Sequence, residues 1–285
     1  MRETLVRAVH LGSRGYGRLT ASHRMLPSFL ICGGQRCGTT SLYRALASHP
    51  AVIKAVLHKG VHYFDVGYER GMRWYRGHFP LQRSSDRVAR RLGVPAQTFE
   101  SSPYYMYHPH AAARIAADLP GVRVLVLVRD PVERAYSQHA HEVARGFETE
   151  RDFRRALELE PTRLRGVREH LLNHPLAYNF SHQHHAYRAR GEYVEYIAAM
   201  ARLLGRDRVH VVDSGAFFAD PEPTYDAVLD FLGLPRADYP VFERHNARPR
   251  VDLDANTRAA LAEHYAPYDI RLAAWLGRRL SWMDA

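Results

Sequence analysis

The chain has 285 residues, enough to bury a real core, and its 46% apolar and 25% charged residues exclude a disordered or fibrous protein. Its formal net charge of +10 comes almost wholly from arginine, since lysine occurs only at Lys54 and Lys59, and it favours an anionic ligand. No stretch approaches the ~20 apolar residues of a membrane span, and basic residues dispersed among acids, with no basic tail or zinc spacing, argue against nucleic acid as the partner.

Residues 1–26 are basic and weakly patterned and read as an N-terminal extension before a single domain over 27–285. Arg2, Arg7, Arg14 and Arg18 are followed by no continuous apolar run, so this start does not read as a signal peptide. Two cysteines, Cys32 and Cys37, fit a reducing compartment, and a cytoplasmic location is expected.

Phe29 to Ile31 predicts a short buried strand, and Gly33, Gly34 and Gly38 permit a close turn into a helix over 40–47. A strand, a glycine-rich turn and a helix N-terminus make an anion cradle: backbone N–H groups converge, the helix end adds partial positive charge, and Arg36 adds a full one. The spacing approaches the nucleotide-triphosphatase P-loop, but Thr39 stands where that loop has its lysine. A second strand is expected within 51–57, delivering His58 to Asp65, where His62 and Asp65 share a site if the segment turns helically. Met72 to Pro80 is an aromatic cover, 84–91 a helix and 97–100 a strand leading to Tyr104 and Tyr105, which either line a pocket or pack.

A helix over 111–119 precedes the strongest strand, 122–128, nearly all apolar as expected of a central parallel strand. It ends at Arg129, and Pro131 opens a helix carrying Ser137. Arg129 meets either an anion or a neighbouring carboxylate, Asp130 or Glu133. Helical signal continues over 140–160 with a loop at 146–148, then an Arg- and His-rich stretch over 161–190, which has no metal-site spacing. A helix from Tyr193, a strand over 208–213, a helix over 223–232, a basic loop over 242–250 and two helices, 256–265 and 268–280, complete the chain. The sum is an α/β fold: a single P-loop-like domain with a central parallel β-sheet flanked by helices.

These residues resemble the sulfotransferases that use 3′-phosphoadenosine 5′-phosphosulfate, most closely the heparan sulfate sulfotransferase-like branch and its bacterial relatives. The family's Q-K-x-G-T-T loop stands here as Gln35-Arg36-Cys37-Gly38-Thr39-Thr40, and its second signature as Arg129 through Ser137 with Arg134-Ala135-Tyr136-Ser137. Lys59 to Asp65, Glu100 to Tyr104, Gly191 with Tyr193, and His245 to Arg248 match further family segments. The resemblance implies in-line transfer of a sulfuryl group to a hydroxyl, less readily an amine, of a small-molecule, lipid or carbohydrate acceptor, leaving 3′-phosphoadenosine 5′-phosphate. It implies donor binding by Gln35, Arg36, Cys37, Gly38, Thr39, Thr40, Ser41, Arg129, Ser137, Arg248 and Arg250, and catalysis by His62, Arg36, Asp65 and Lys59. Three departures stand out: Arg36 replaces a lysine, Gly60 stands where relatives have a glutamate base, and Ser101 where they often have lysine. His62 is then the expected base, since imidazole titrates near neutrality. A P-loop phosphotransferase and a non-catalytic polyanion-binding module are the alternative readings.

Overall fold

The computed structural model describes residues 15–56, 58–243 and 252–283. Five strands form one sheet: β1 (Phe29–Ile31), β2 (Val52–Lys54), β3 (Gln97–Ser101), β4 (Arg123–Val128) and β5 (Val209–Asp213), in the order β2-β3-β1-β4-β5. Every pairing is parallel. Parallel neighbours need crossovers, and the intervening helices cover both faces, which is why Val124 to Val128 can be apolar at every position and fully buried. The expected α/β fold with a central parallel sheet is therefore the observed one.

β1 lies between β3 and β4, in register Phe29 with Phe99 and with Arg123. The loops leaving the C-terminal ends of these three strands consequently share one edge, where ligands of open α/β sheets bind. Gly33 makes the packing feasible: a Cβ there would lie 2.1 Å from the Leu127 nitrogen. The Gly34 N–H donates to the Leu127 carbonyl, extending the β1–β4 ladder into the turn. Gly38, at φ +78, then starts the helix Thr39–Ala47.

The helix Pro131–Ala144 begins as its sequence indicates, with Asp130 accepting the Val132 N–H and Pro131 in the first turn. It rests on a second apolar cluster of Val132, Ala135, Phe153, Leu157, Tyr187, Leu261 and Tyr265. The helical signal over 140–160 divides at 145–152, and a separate helix Phe153–Arg163 follows. Residues 15–26 pack against the aromatic cover: the Met25 N–H donates to the Pro80 carbonyl, and Arg76 Nε to the Arg24 carbonyl.

One expected boundary is corrected. The two C-terminal helices are a single helix, Ala255–Leu276, running through Pro267. Proline removes one N–H and crowds the preceding turn, but Leu261, Tyr265 and Leu272 on both sides of it are buried along one face, so packing carries the helix across. The helix Ser214–Ala219, absent from the sequence reading, follows β5 directly, capped by Asp213. Among the described residues no helix is long and apolar enough to cross a membrane.

Candidate active site

A cleft of about 600 Å³ opens at the sheet's C-terminal edge. Gln35, Arg36, Gly38, Thr39 and Thr40 from the turn after β1, Lys59 and His62 from the loop after β2, and Arg129 and Ser137 after β4 all line it. Among the described residues five cationic side chains, Arg36, Lys59, Arg129, Arg145 and Arg190, face this space, and none of those lining it is a carboxylate. Such a concentration of charge in a low-dielectric wall is tolerated where an anion is to be bound.

Lys59 Nζ donates to Thr39 Oγ1 at 3.1 Å and to Thr40 Oγ1 at 3.0 Å, placing an ammonium over the N-terminus of the helix Thr39–Ala47. Burial pushes this lysine down to about 8. Arg36 adopts a left-handed backbone, φ +72, and its Nε donates to Ser137 Oγ at 3.0 Å. The turn after β1 and the helix after β4, separate in sequence, therefore meet through one guanidinium. Arg129 Nη1 reaches the Arg36 carbonyl at 3.5 Å, and Nη2 stands 3.6 Å from Glu133 Oε2, the neighbouring carboxylate that the sequence offered. Glu133 lies closer to Arg258, at 2.6 Å. Tyr193 donates to the Arg129 carbonyl at 2.9 Å and fixes the end of β4.

His62 and Asp65 meet as their spacing suggests: Nδ1 is 2.7 Å from Asp65 Oδ2 across a turn that His62 enters at φ +56. With Nδ1 committed there, Nε2 is the nitrogen left to take a proton. Burial pulls the imidazole down, but the charge and hydrogen bond of Asp65, with Glu100 behind, outweigh it, and His62 sits above the ordinary histidine value. The backbone around it is held by Glu100, a fully buried carboxylate on β3. Glu100 Oε2 accepts the Val61 N–H at 2.8 Å; Ser102, itself donating to Glu100, accepts the His62 N–H; Tyr105, also donating to Glu100, accepts the Tyr63 N–H. Three consecutive backbone donors are thus tied to one carboxylate.

The remaining expected residues fall differently. Gln35 donates to Glu142 and accepts from Arg190 at 3.0 Å, so both ends of its amide are held by the wall. Cys37 is buried with its thiol 3.6 Å from the Tyr193 hydroxyl, and Ser41 is buried a helical turn away, against a small pocket with Phe217; neither lines the cleft. Asp65 acts from behind His62. Arg248 and Arg250 lie outside the described residues, as does His245. Arg134, in the second signature, is fully buried and bonds Gln138 and the Tyr187 carbonyl, a structural role. Pro103, Tyr104, Arg145, Gln183, His184 and Arg190 line the far side of the cleft, and Ser214, Gly215 and Phe218 close the end beneath β5. The Ser214 hydroxyl is buried with no partner among the described residues and stands 3.1 Å from where a Cβ on Gly38 would lie.

The family pattern described as "Sulfotransferase domain" matches residues 26–246. A crystal structure of a sulfotransferase from Alicyclobacillus acidocaldarius superposes with a TM-score of 0.69 at 26% identity, covering 92% of this chain and all of that one. The chain is 30% identical over 217 residues to heparan sulfate glucosamine 3-O-sulfotransferase 6 of Mus musculus, covering 75% of this chain and 54% of the relative. It is 25% identical over 237 residues to a bifunctional heparan sulfate N-deacetylase/N-sulfotransferase of Drosophila melanogaster, covering 78% of this chain and 21% of the relative. The chain thus spans about half, or much less, of the curated relatives it matches. A matched stretch of this extent, on a central parallel sheet, assigns the chain to the sulfotransferase domain family.

Proposed function

We propose that this chain transfers a sulfuryl group from 3′-phosphoadenosine 5′-phosphosulfate to a hydroxyl of a small metabolite, lipid or carbohydrate, acting in the cytoplasm. The observation that carries this reading is the cleft wall, which among the described residues presents five cations and no carboxylate and is bridged by Arg36 from the turn before the helix to Ser137. One ligand with two anionic ends fits that wall. The residues suit the donor: Lys59, Arg36, Thr39, Thr40 and the helix N-terminus would hold its 5′ end, and Arg129 and Ser137 its 3′-phosphate. The unpartnered Ser214 hydroxyl is a further polar group at the nucleotide end.

The donor, when bound, supplies an activated sulfuryl group whose bond to phosphate breaks as the acceptor oxygen attacks. His62 Nε2 takes the acceptor's proton as the new bond forms, and Asp65 holds the ring in the required tautomer and stabilises the imidazolium. Lys59 and Arg36 stabilise the charge that develops on the leaving phosphate, each well-placed donor being worth roughly 3 kcal/mol or about a hundredfold in rate.

Calorimetry with 3′-phosphoadenosine 5′-phosphate tests the reading, with micromolar binding expected. Arg129→Ala is expected to weaken that binding tenfold or more while leaving affinity for adenosine 5′-phosphate nearly intact. No binding by the native protein sinks the proposal, and equal losses for both nucleotides remove Arg129 from the 3′-phosphate.

A further inference from the structure

The helix Pro131–Ala144 links the two ends of the cleft. Ser137, His141 and Arg145 follow one another at four-residue spacing and all line it, so this face runs from the 3′-phosphate site toward His62. Arg145 lies over the Phe147 ring at 4.4 Å, and Phe147 packs against His184 at 4.5 Å and edge-on to Phe180 at 6.0 Å. The nearest carboxylate to Arg145 is Glu142 at 3.9 Å, and that group is fully buried and already accepts from Gln35 and from His184, the latter at 2.9 Å. With its side chain 45% exposed at the mouth, Arg145 keeps a face of its guanidinium toward the open cleft.

We propose that Arg145, stacked on Phe147 beside His184, is the anion-recognition element of the acceptor subsite, and that the acceptor is a hydroxyl compound bearing a carboxylate, sulfate or phosphate near the hydroxyl that reacts. The inference rests on the sulfotransferase reading above and names its acceptor class. A planar guanidinium pre-set on an aromatic ring presents its fork to an anionic oxygen pair at little entropic cost. The same charge bears on the base. Around His62 stand Asp65 on its own turn, Glu100 on β3 and Arg145 from the helix end, and Arg145 alone of these charged groups disfavours the imidazolium. An anionic acceptor seated on Arg145 screens that field, so the base strengthens when a correctly charged acceptor arrives, and a neutral one forgoes the effect.

The test uses matched acceptors differing in one charge, methyl glucuronide against methyl glucoside and 4-hydroxyphenylacetate against 4-hydroxyphenylacetamide, with the full chain saturated in donor. The charged member of a pair is expected to be preferred at least tenfold in kcat/KM. Arg145→Gln collapses that preference through KM, and Arg145→Lys restores part of it. In the complex with 3′-phosphoadenosine 5′-phosphate, the His62 imidazole followed by NMR titrates at higher pH in Arg145→Gln. It also titrates higher in the native protein once methyl glucuronide is added. Charge-blind kinetics, a preference that survives Arg145→Gln, or a His62 midpoint indifferent to the substitution overturns the proposal. If no probe is turned over, the His62 midpoint decides alone. Calorimetry of nucleotide binding separates the outcomes: lost binding in the native protein refutes the sulfotransferase reading, whereas intact binding with any overturning result refutes only the role of Arg145.

Discussion

A histidine at φ +56 is a costly conformation for a residue with a side chain, and it persists only where its surroundings over-determine it. Around His62 that work falls to Glu100, whose carboxylate gathers the N–H groups of residues 61, 62 and 63 directly or through Ser102 and Tyr105. The same packing explains Gly60. A Cβ there would lie 2.6 Å from the Ser101 carbonyl oxygen, so a residue with a side chain does not fit this loop without a backbone shift. The loop and the His62–Asp65 pair are one arrangement. The kcat–pH profile is expected to fall on its acid side with a midpoint above 6.5, because protonated His62 accepts nothing and Asp65 holds the imidazolium. Asp65→Asn removes the favourable charge, so the acid limb moves to lower pH while the plateau drops as ring orientation is lost. An acid limb that stays in place detaches this pair from the proton transfer. At this scale the His62–Asp65 pair was legible from a three-residue spacing, and Arg36 and Ser137 from motifs. Glu100 as a clamp and Arg145 were not, since both act through tertiary neighbours distant in sequence.

At the scale of elements, the strand-to-helix turns were readable because Gly38, Asp130-Pro131 and the apolar run 124–128 carry local signals that agree with the fold. The continuous helix through Pro267 and the short helix after Asp213 were not, because packing against other elements decides both. The loop at 145–152 shows how such contacts hold the cleft's far wall. Glu148, with no exposed side-chain surface, accepts from Arg163 at 2.6 and 3.1 Å, from the Tyr187 hydroxyl at 2.8 Å and from the Glu150 N–H at 2.8 Å. Burial acts to raise its carboxyl, but these donors prevail and hold it down to about 2. Its contribution is therefore present above the unfolded value of about 4.5 and is lost as pH falls toward 2. Glu148→Gln leaves Arg163 without its charge partner, for an expected loss of about 3–5 kcal/mol in urea unfolding at pH 7. That difference narrows below pH 4.5, and a variant as stable as the native protein at neutral pH contradicts the assignment.

Across the whole molecule, one sheet order does the assembly. With β1 between β3 and β4, the cradle, the histidine loop and the Arg129 turn reach the same edge, and β5 adds Ser214 at its side. Parallel strands were foreseeable from their apolar runs, but their order was not, since no local signal says which neighbour a buried strand takes. β5 also gives the fold a pH dependence independent of the cleft. His210 pairs with Leu125 in the ladder and stacks on Phe231 at 5.0 Å; burial, then Arg278 and Arg206, push it down to about 4. The unfolded chain therefore takes up this proton first as pH falls. The stability His210 contributes is complete above about 6.5 and is lost progressively down to about 4. His210→Gln removes the titration while keeping a polar side chain on the strand. Urea unfolding of both proteins between pH 7.5 and 4.5 is expected to show parallel curves above about pH 6.5 and, below it, the native protein losing about 1 kcal/mol more per pH unit than the variant. Parallel curves for the two proteins across the whole window contradict a depressed His210 on β5.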